Sequence, residues 1–260
     1  MLRGPAHPEN FRVKHGRYGH RWYQDSLPDD GTYGPMDEPV PAVSAVKNAW
    51  PKFLTSWAAG EVAKFAVDNI NSWKDLERTA AVQLLSKAHE RSRDASAARG
   101  TAIHEAIESL TLGDGLMTLD LPTAYEPVVK QLVHDLQPEL LVAEAVVIKR
   151  DTEFDGGYGG TLDAIARLNG YGTLLVDWKS RNAGKGGTAY PDEFAQGAAY
   201  LGADYLIVAG DNTDAVRTPV PEVDGIAIVT IDPEGYTVCA PDELGKATNT
   251  WVQLLSLIHI

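Results

Sequence analysis

A single cysteine, Cys239, in 260 residues leaves no partner for an internal disulfide and too few thiolates for a four-cysteine zinc or iron–sulfur site within the chain. Eighteen consecutive apolar residues occur nowhere, so no segment reads as a bilayer-spanning helix and no membrane association is expected. The start Met1-Leu2-Arg3-Gly4-Pro5 also lacks the apolar core of a secretory signal, which points to the cytoplasm. Cationic excess is missing as well. With 36 Asp and Glu against 23 Lys and Arg, the net charge of −13 argues against a protein that coats nucleic acid through a generally basic surface. A Gly-x-x-x-x-Gly-Lys-Ser/Thr loop is not found, so no phosphate-cradling motor domain is expected.

What the chain does have is local. Arg3, Arg12, Lys14, Arg17 and Arg21 gather near the N-terminus, and Arg91, Arg93 and Arg99 lead toward His104. An acidic total is compatible with an enzyme whose clustered carboxylates are offset by bound cations. Hydrophobic content of 44% in 260 residues supports a full core in one large domain, or a catalytic domain with a smaller appendage.

Residues 1–45 mix aromatics with turn formers such as Pro28-Asp29-Asp30-Gly31 and read as a short hairpin or irregular arm. From Val43 to Asn69 the apolar spacing of Phe53, Leu54, Trp57, Ala58, Val62 and Phe65 predicts a helical cap with one buried face, interrupted at Trp50-Pro51. Helix continues from Trp73 to Ala88, and Asp94 opens a further helix that carries His104 and Glu108 and stops at Gly113-Asp114-Gly115. Another runs from Ala124 to Leu136. Leu140–Ile148 reads as one strand, and Gly160–Leu168 and Thr173–Ser180 as two more, joined by the hairpin turn signal Asn169-Gly170. A Gly-rich loop, mobile by composition, leads into a helix predicted from Pro191 to Ala209, and strands follow at Gly225–Ile231 and Tyr236–Cys239. The expected division is an arm and cap over 1–90, a core over 91–253 and a non-native tail over 254–260, because Leu255–Ile260 look like the translation of a transposon end used in sequencing-library preparation.

Asp177-Trp178-Lys179 closes the apolar run Thr173–Val176, and strand alternation puts the carboxylate and the ammonium on one face. Phosphodiester hydrolysis needs a nucleophilic water, neutralisation of charge on the phosphoryl oxygens and help for the leaving alkoxide, and a hard divalent cation assists with each. Mg²⁺ takes oxygen donors and keeps several waters, so Asp163 and Asp177 on paired strands, if both point to one face, suffice to hold it. His104 and Glu108 lie four apart on a helix beside the stripe of Ile103, Ile107 and Leu110. An imidazole tilts preference toward Mn²⁺. Gln196 and Tyr200, also four apart, offer an amide and a phenol, and Arg181 and Lys185 on the Gly-rich loop are candidate phosphate contacts.

Gly100, His104 and Glu108, then Gly160 to Asp163, then Asp177-Trp178-Lys179, then Gln196 to Tyr200, together resemble the motifs of the PD-(D/E)XK nuclease superfamily, in its RecB-like branch of phage and bacterial exonucleases. The likeness runs from about Arg99 to Leu201, and more loosely into the cap at Val40–Ser44 and Leu54–Ala59. It implies an α/β (α+β) restriction-endonuclease-like core, a central mixed sheet flanked by helices, with an N-terminal helical cap. It further implies that His104, Asp163, Asp177 and the Trp178 carbonyl ligate Mg²⁺ or Mn²⁺, that Lys179 positions or activates water, that Glu108 joins the catalytic set, and that Gln196, Tyr200, Arg181 and Lys185 touch DNA. The branch members with an iron–sulfur cluster need cysteines that this chain lacks.

The expected activity is metal-dependent DNA exonuclease in phage recombination or DNA processing, in the host cytoplasm and beside a single-strand annealing or binding protein. A structure-specific or single-strand endonuclease on the same core is the alternative, as is a noncatalytic DNA-binding subunit. Threading of an end calls for an enclosed passage, roofed by the cap or formed by a homo-oligomer ring. Asp177→Asn is expected to abolish cleavage without harming the fold, because it relieves repulsion between like charges.

Overall fold

The computed structural model describes residues 1–15, 20–47, 54–116, 120–150, 157–210 and 214–240. The N-terminal arm forms β1 (Leu2–Arg3), β2 (Arg12–His15), β3 (His20–Tyr23) and β4 (Val40–Pro41). Helices follow as α1 (Val43–Lys47), α2 (Leu54–Asp68), α3 (Ile70–Trp73), α4 (Arg78–Ser86), α5 (Ala88–Leu112) and α6 (Glu126–Leu136). Then come β5 (Glu139–Ala143), β6 (Val146–Lys149), β7 (Tyr158–Thr161), β8 (Ala164–Leu168), β9 (Gly172–Ser180), α7 (Pro191–Leu201), β10 (Tyr205–Ala209), β11 (Ala215–Thr218), β12 (Gly225–Asp232) and β13 (Gly235–Cys239). The fold is α+β, with a central mixed sheet flanked by helices.

The six-stranded sheet has the order β1-β5-β8-β9-β12-β13, parallel at β1/β5 and β9/β12 and antiparallel elsewhere. Asn169-Gly170 makes the β8–β9 turn, with Gly170 and Gly172 at φ 81° and 88°, a region that costs other residues steric strain. Side-chain alternation along β9 separates two cores. Leu174, Val176 and Trp178 pack with Ile103 and Ile107 of α5 and Val129 and Leu132 of α6. On the other face, Leu175 packs with Val43 and Val46 of α1 and Ala195, Ala199 and Tyr200 of α7. Each such buried aliphatic side chain contributes roughly 1.5–3 kcal/mol.

Two expected strands are each two strands. Leu140–Ile148 breaks between β5 and β6, and Gly160–Leu168 between β7 and β8, so that β6 and β7 leave the large sheet and join β10 and β11 in a four-stranded one, of order β11-β10-β6-β7. The breaks lie side by side and are bonded to each other, Glu144 N–H to Asp163 O at 2.9 Å and Leu162 N–H to Ala145 O at 3.0 Å. Glu144 sits there at φ 52°. Both acids therefore stand at a crease in the sheet and not in its regular pleat.

The helix expected over 191–209 ends at Leu201, and Tyr205–Ala209 is the strand β10, with four of its five residues buried. A continuous apolar run has no periodicity to separate helix from buried strand. In the cap, no residue of α2, α3 or α4 is buried, and Leu54 and Trp57 are exposed, contrary to the expected buried face. Phe53 and Trp50-Pro51 lie outside the described residues, as do 254–260. The helix expected from Asp94 begins at Ala88 and runs unbroken through the anticipated 90/91 boundary to Gly113, whose φ of 83° closes it.

The arm is clamped to the four-stranded sheet. Arg217 on β11 donates from Nε to the fully buried Asp25 at 2.6 Å and from its terminal nitrogens to the carbonyls of Leu27, Pro28, Tyr33 and Gly34, while Tyr205 donates to Asp25 at 2.8 Å. The three-stranded sheet, β2-β3-β4, lies against β7, where Ala42 bridges to Gly159. No helix among the described residues is long and apolar enough to cross a membrane.

Candidate metal centre

On α5, Ile103, Ala106 and Ile107 are buried against the sheet, and His104 sits at the border of that stripe with its side chain 25% exposed. Its Nε2 lies 2.8 Å from the carbonyl oxygen of Trp178, a group that only accepts, so Nε2 carries the proton in this state. The same nitrogen is 3.7 Å from Asp163 Oδ2, and Nδ1 is 4.0 Å from Glu144 Oε1. Asp163 is aimed by the Trp178 N–H, which donates to its Oδ2 at 3.0 Å. His104, Glu144 and Asp163 each offer a ligand atom within 4.8 Å of the others'. They come from a helix and from the two breaks in the sheet.

The electrostatics favour a cation. Burial, and then the charge of Asp177, push the Asp163 carboxyl up to about 7. Burial also raises Glu144, with His104 pulling the other way and Glu108 adding to the rise. One imidazole, two carboxylates and a main-chain carbonyl are nitrogen and oxygen donors without a thiolate, a set that suits Mg²⁺ or Mn²⁺, with the imidazole favouring Mn²⁺. A cleft of about 350 Å³ opens over the group, lined in part by Glu108, Arg12 and Thr161.

Asp177 stands differently from expectation. It is 2% exposed, on the α7 side of β9, and Lys179 Nζ lies 2.6 Å from its Oδ1 and 2.5 Å from its Oδ2. Its charge reaches Asp163, but its carboxylate belongs to the lysine and not to the three-residue group. Burial pulls the Lys179 pKa down, and the charges of Asp177 and Asp163 more than offset it, so the ammonium is held above its ordinary value. Glu144, which sequence reading passed over, is the third member of the group beside Asp163 and His104. The available signal was a lone acid in the middle of the apolar run Leu140–Ile148.

Glu108 borders the cleft and is ion-paired with Arg3. Gln196 and Tyr200 are bonded to each other, Gln196 donating to the phenol oxygen at 2.9 Å and accepting from Lys47 at 2.7 Å. Tyr200 is 4% exposed, below the site and not at the surface, and burial raises its hydroxyl pKa well above the ordinary value. Arg181 donates to both oxygens of Glu193 at 2.7 Å and lies over the Tyr190 ring, so it anchors the start of α7. The Gly-rich loop is likewise tied down, Gly186 and Gly187 N–H donating to Asp232 and Thr230. Lys185 on that loop is exposed.

No family model and no curated protein matches the chain. Among solved structures, the crystal structure of SSO0001 is similar with a TM-score of 0.36 at 12% identity, over 88% of this chain and 80% of that one. A likeness of that degree defines no family.

Proposed function

We propose that the chain is a divalent-cation-dependent deoxyribonuclease on a PD-(D/E)XK core of the RecB-like type, acting as an exonuclease in phage recombination or DNA processing. The observation that carries the reading is the convergence of His104 Nε2, Asp163 Oδ2 and Trp178 O from α5, the sheet break and β9, with Lys179 on the other face of β9 but still within the electrostatic reach of Asp163. DNA as substrate, and a single-strand annealing protein as partner, rest on the resemblance in sequence.

His104, Asp163, Glu144 and the Trp178 carbonyl would hold the cation. When bound it supplies a water of lowered pKa and neutralises charge on the phosphoryl oxygens. The elevated pKa of Lys179 keeps it charged at neutral pH, so it serves as a fixed positive group that orients water or phosphate and not as a proton acceptor. Asp177 holds that ammonium in place, and Tyr200 supports the adjoining backbone.

The test is incubation of linear and covalently closed circular DNA with Mg²⁺, Mn²⁺ or EDTA, using the wild type, Asp163→Asn, Glu144→Gln and Lys179→Ala, each checked for folding by circular dichroism. Metal-dependent loss of linear DNA alone supports the exonuclease. Nicking of circles moves the reading to an endonuclease, and cleavage that survives EDTA or Asp163→Asn removes it.

A further inference from the structure

Two arginines of the N-terminal arm reach the cleft. Arg3 is consumed there by its ion pair with Glu108. Arg12 is not. Its Nη2 donates to Thr161 Oγ1 at 3.1 Å, but its Nε is buried without a hydrogen-bond partner, and among the described residues it makes no ion pair within 4.0 Å. Buried charged donors are rarely left open in native structures. Position in the fold is well defined: Arg12 pairs with Tyr23 across β2 and β3, and Tyr23 is 2% exposed and shares Thr161 Oγ1 at 3.1 Å. Gly159 lies directly beneath, where a Cβ would come 2.4 Å from Tyr23 Cβ. The hairpin is thus seated on β7, with a guanidinium over a cleft whose other charged walls include Glu105, Glu108, Glu144 and Asp163. A simple counter-ion would be expected to close onto one of those carboxylates.

We propose that Arg12 is a substrate-binding residue that takes a phosphate of the nucleic-acid backbone, with Thr161 holding Nη2 so that the guanidinium stays fixed in the cleft wall. The inference rests on the nuclease reading. An acid-lined cleft repels polyanions unless a cation and a fixed positive side chain stand at the point of entry, and a guanidinium matches phosphate oxygens in geometry as well as charge. Arg12 thereby gives the arm a role in the site beyond covering it.

The experiment measures equilibrium binding of a labelled DNA duplex to the full chain in EDTA across a KCl series, and KM and kcat for its digestion with Mn²⁺. Arg12→Gln deletes the charge and keeps a donor for Thr161, while Arg12→Lys keeps the charge. Arg12→Gln is expected to weaken binding about 10- to 100-fold, with KM rising by more than kcat falls. It should also reduce the slope of log affinity against log salt by about one, as loss of one phosphate contact does. Arg12→Lys recovers part of the affinity. A loss confined to 5′-phosphorylated duplex assigns the contact to an end phosphate, and an equal loss on 5′-hydroxyl duplex assigns it to an internal one. Unchanged affinity and slope in an Arg12→Gln protein that still binds Mn²⁺ overturns the proposal and leaves the nuclease reading standing. A wild type that neither binds nor cleaves DNA removes both.

Discussion

A Cβ on Gly160 would lie 2.5 Å from Cε1 of Tyr200, so the ring on α7 fills the space that any side chain on this part of β7 would need. The pair ties the strand leading to Asp163 to the helix that packs beside Asp177. Gly160→Ala is expected to cost about 1–3 kcal/mol through overpacking. The melting temperature reads this directly, and Tyr200→Leu in the same chain should return part of the loss. An unchanged melting temperature for Gly160→Ala would show that the ring is free to move.

Binding of Mn²⁺ should raise the melting temperature of the wild type. At about 100 times its dissociation constant a ligand adds ~2.7 kcal/mol, which for a chain of this size corresponds to roughly 5–10 °C. His104→Ala, Asp163→Asn and Glu144→Gln should each remove most of the shift. Glu144→Gln is the informative variant, because the sequence motifs alone give that residue no part.

The Asp163 carboxyl is raised from 3.8 to about 7 by burial and by Asp177. For an acid whose folded pKa is raised, the favourable contribution is complete below the unfolded value and disappears as pH climbs through the folded one. Metal-free protein should therefore lose stability progressively as pH rises from the ordinary value of 3.8 toward about 7. Asp163→Asn should flatten that part of the profile in urea denaturation. Mn²⁺ affinity runs the opposite way, rising toward pH 7 as the carboxylate becomes available.

The ion pair of Lys179 with Asp177 changes the expectation for Asp177→Asn. Repulsion from Asp163 is relieved, but Lys179 is left in a mostly buried position without its partner. Breaking such a pair from one side typically costs about 3–5 kcal/mol. Lys179→Met should destabilise by a similar amount, since Asp177 is 2% exposed. The double change Asp177→Asn/Lys179→Met should be closer to wild type than either single one, as chemical denaturation of the four proteins would report. Additive losses would mean the two charges are independently solvated.

Strands β8 and β9 were legible because strong local signals agree there: Asn169-Gly170 for the turn, Thr173–Val176 for burial, and Asp177 and Lys179 in alternation. The helix of His104 was legible from its apolar stripe. What could not be read is long-range. Nothing local distinguishes Leu140–Ile148 as one strand from two strands that separate at Glu144, because the crease is made by hydrogen bonds to Leu162 and Asp163. Tyr205–Ala209 was lost to the preceding helix for want of a period. The pairing of Arg12 with Thr161 joins residues 149 positions apart, and only folding brings them together.

Strand β9 passes between two helical layers, with Trp178 turned to one and Asp177 and Lys179 to the other. A single residue inserted between Gly172 and Asp177 would invert that allotment, thrusting an ammonium among Ile103 and Ile107 and an indole beneath Tyr200. Variation in length is thus barred from this stretch and diverted to the connections on either side of it.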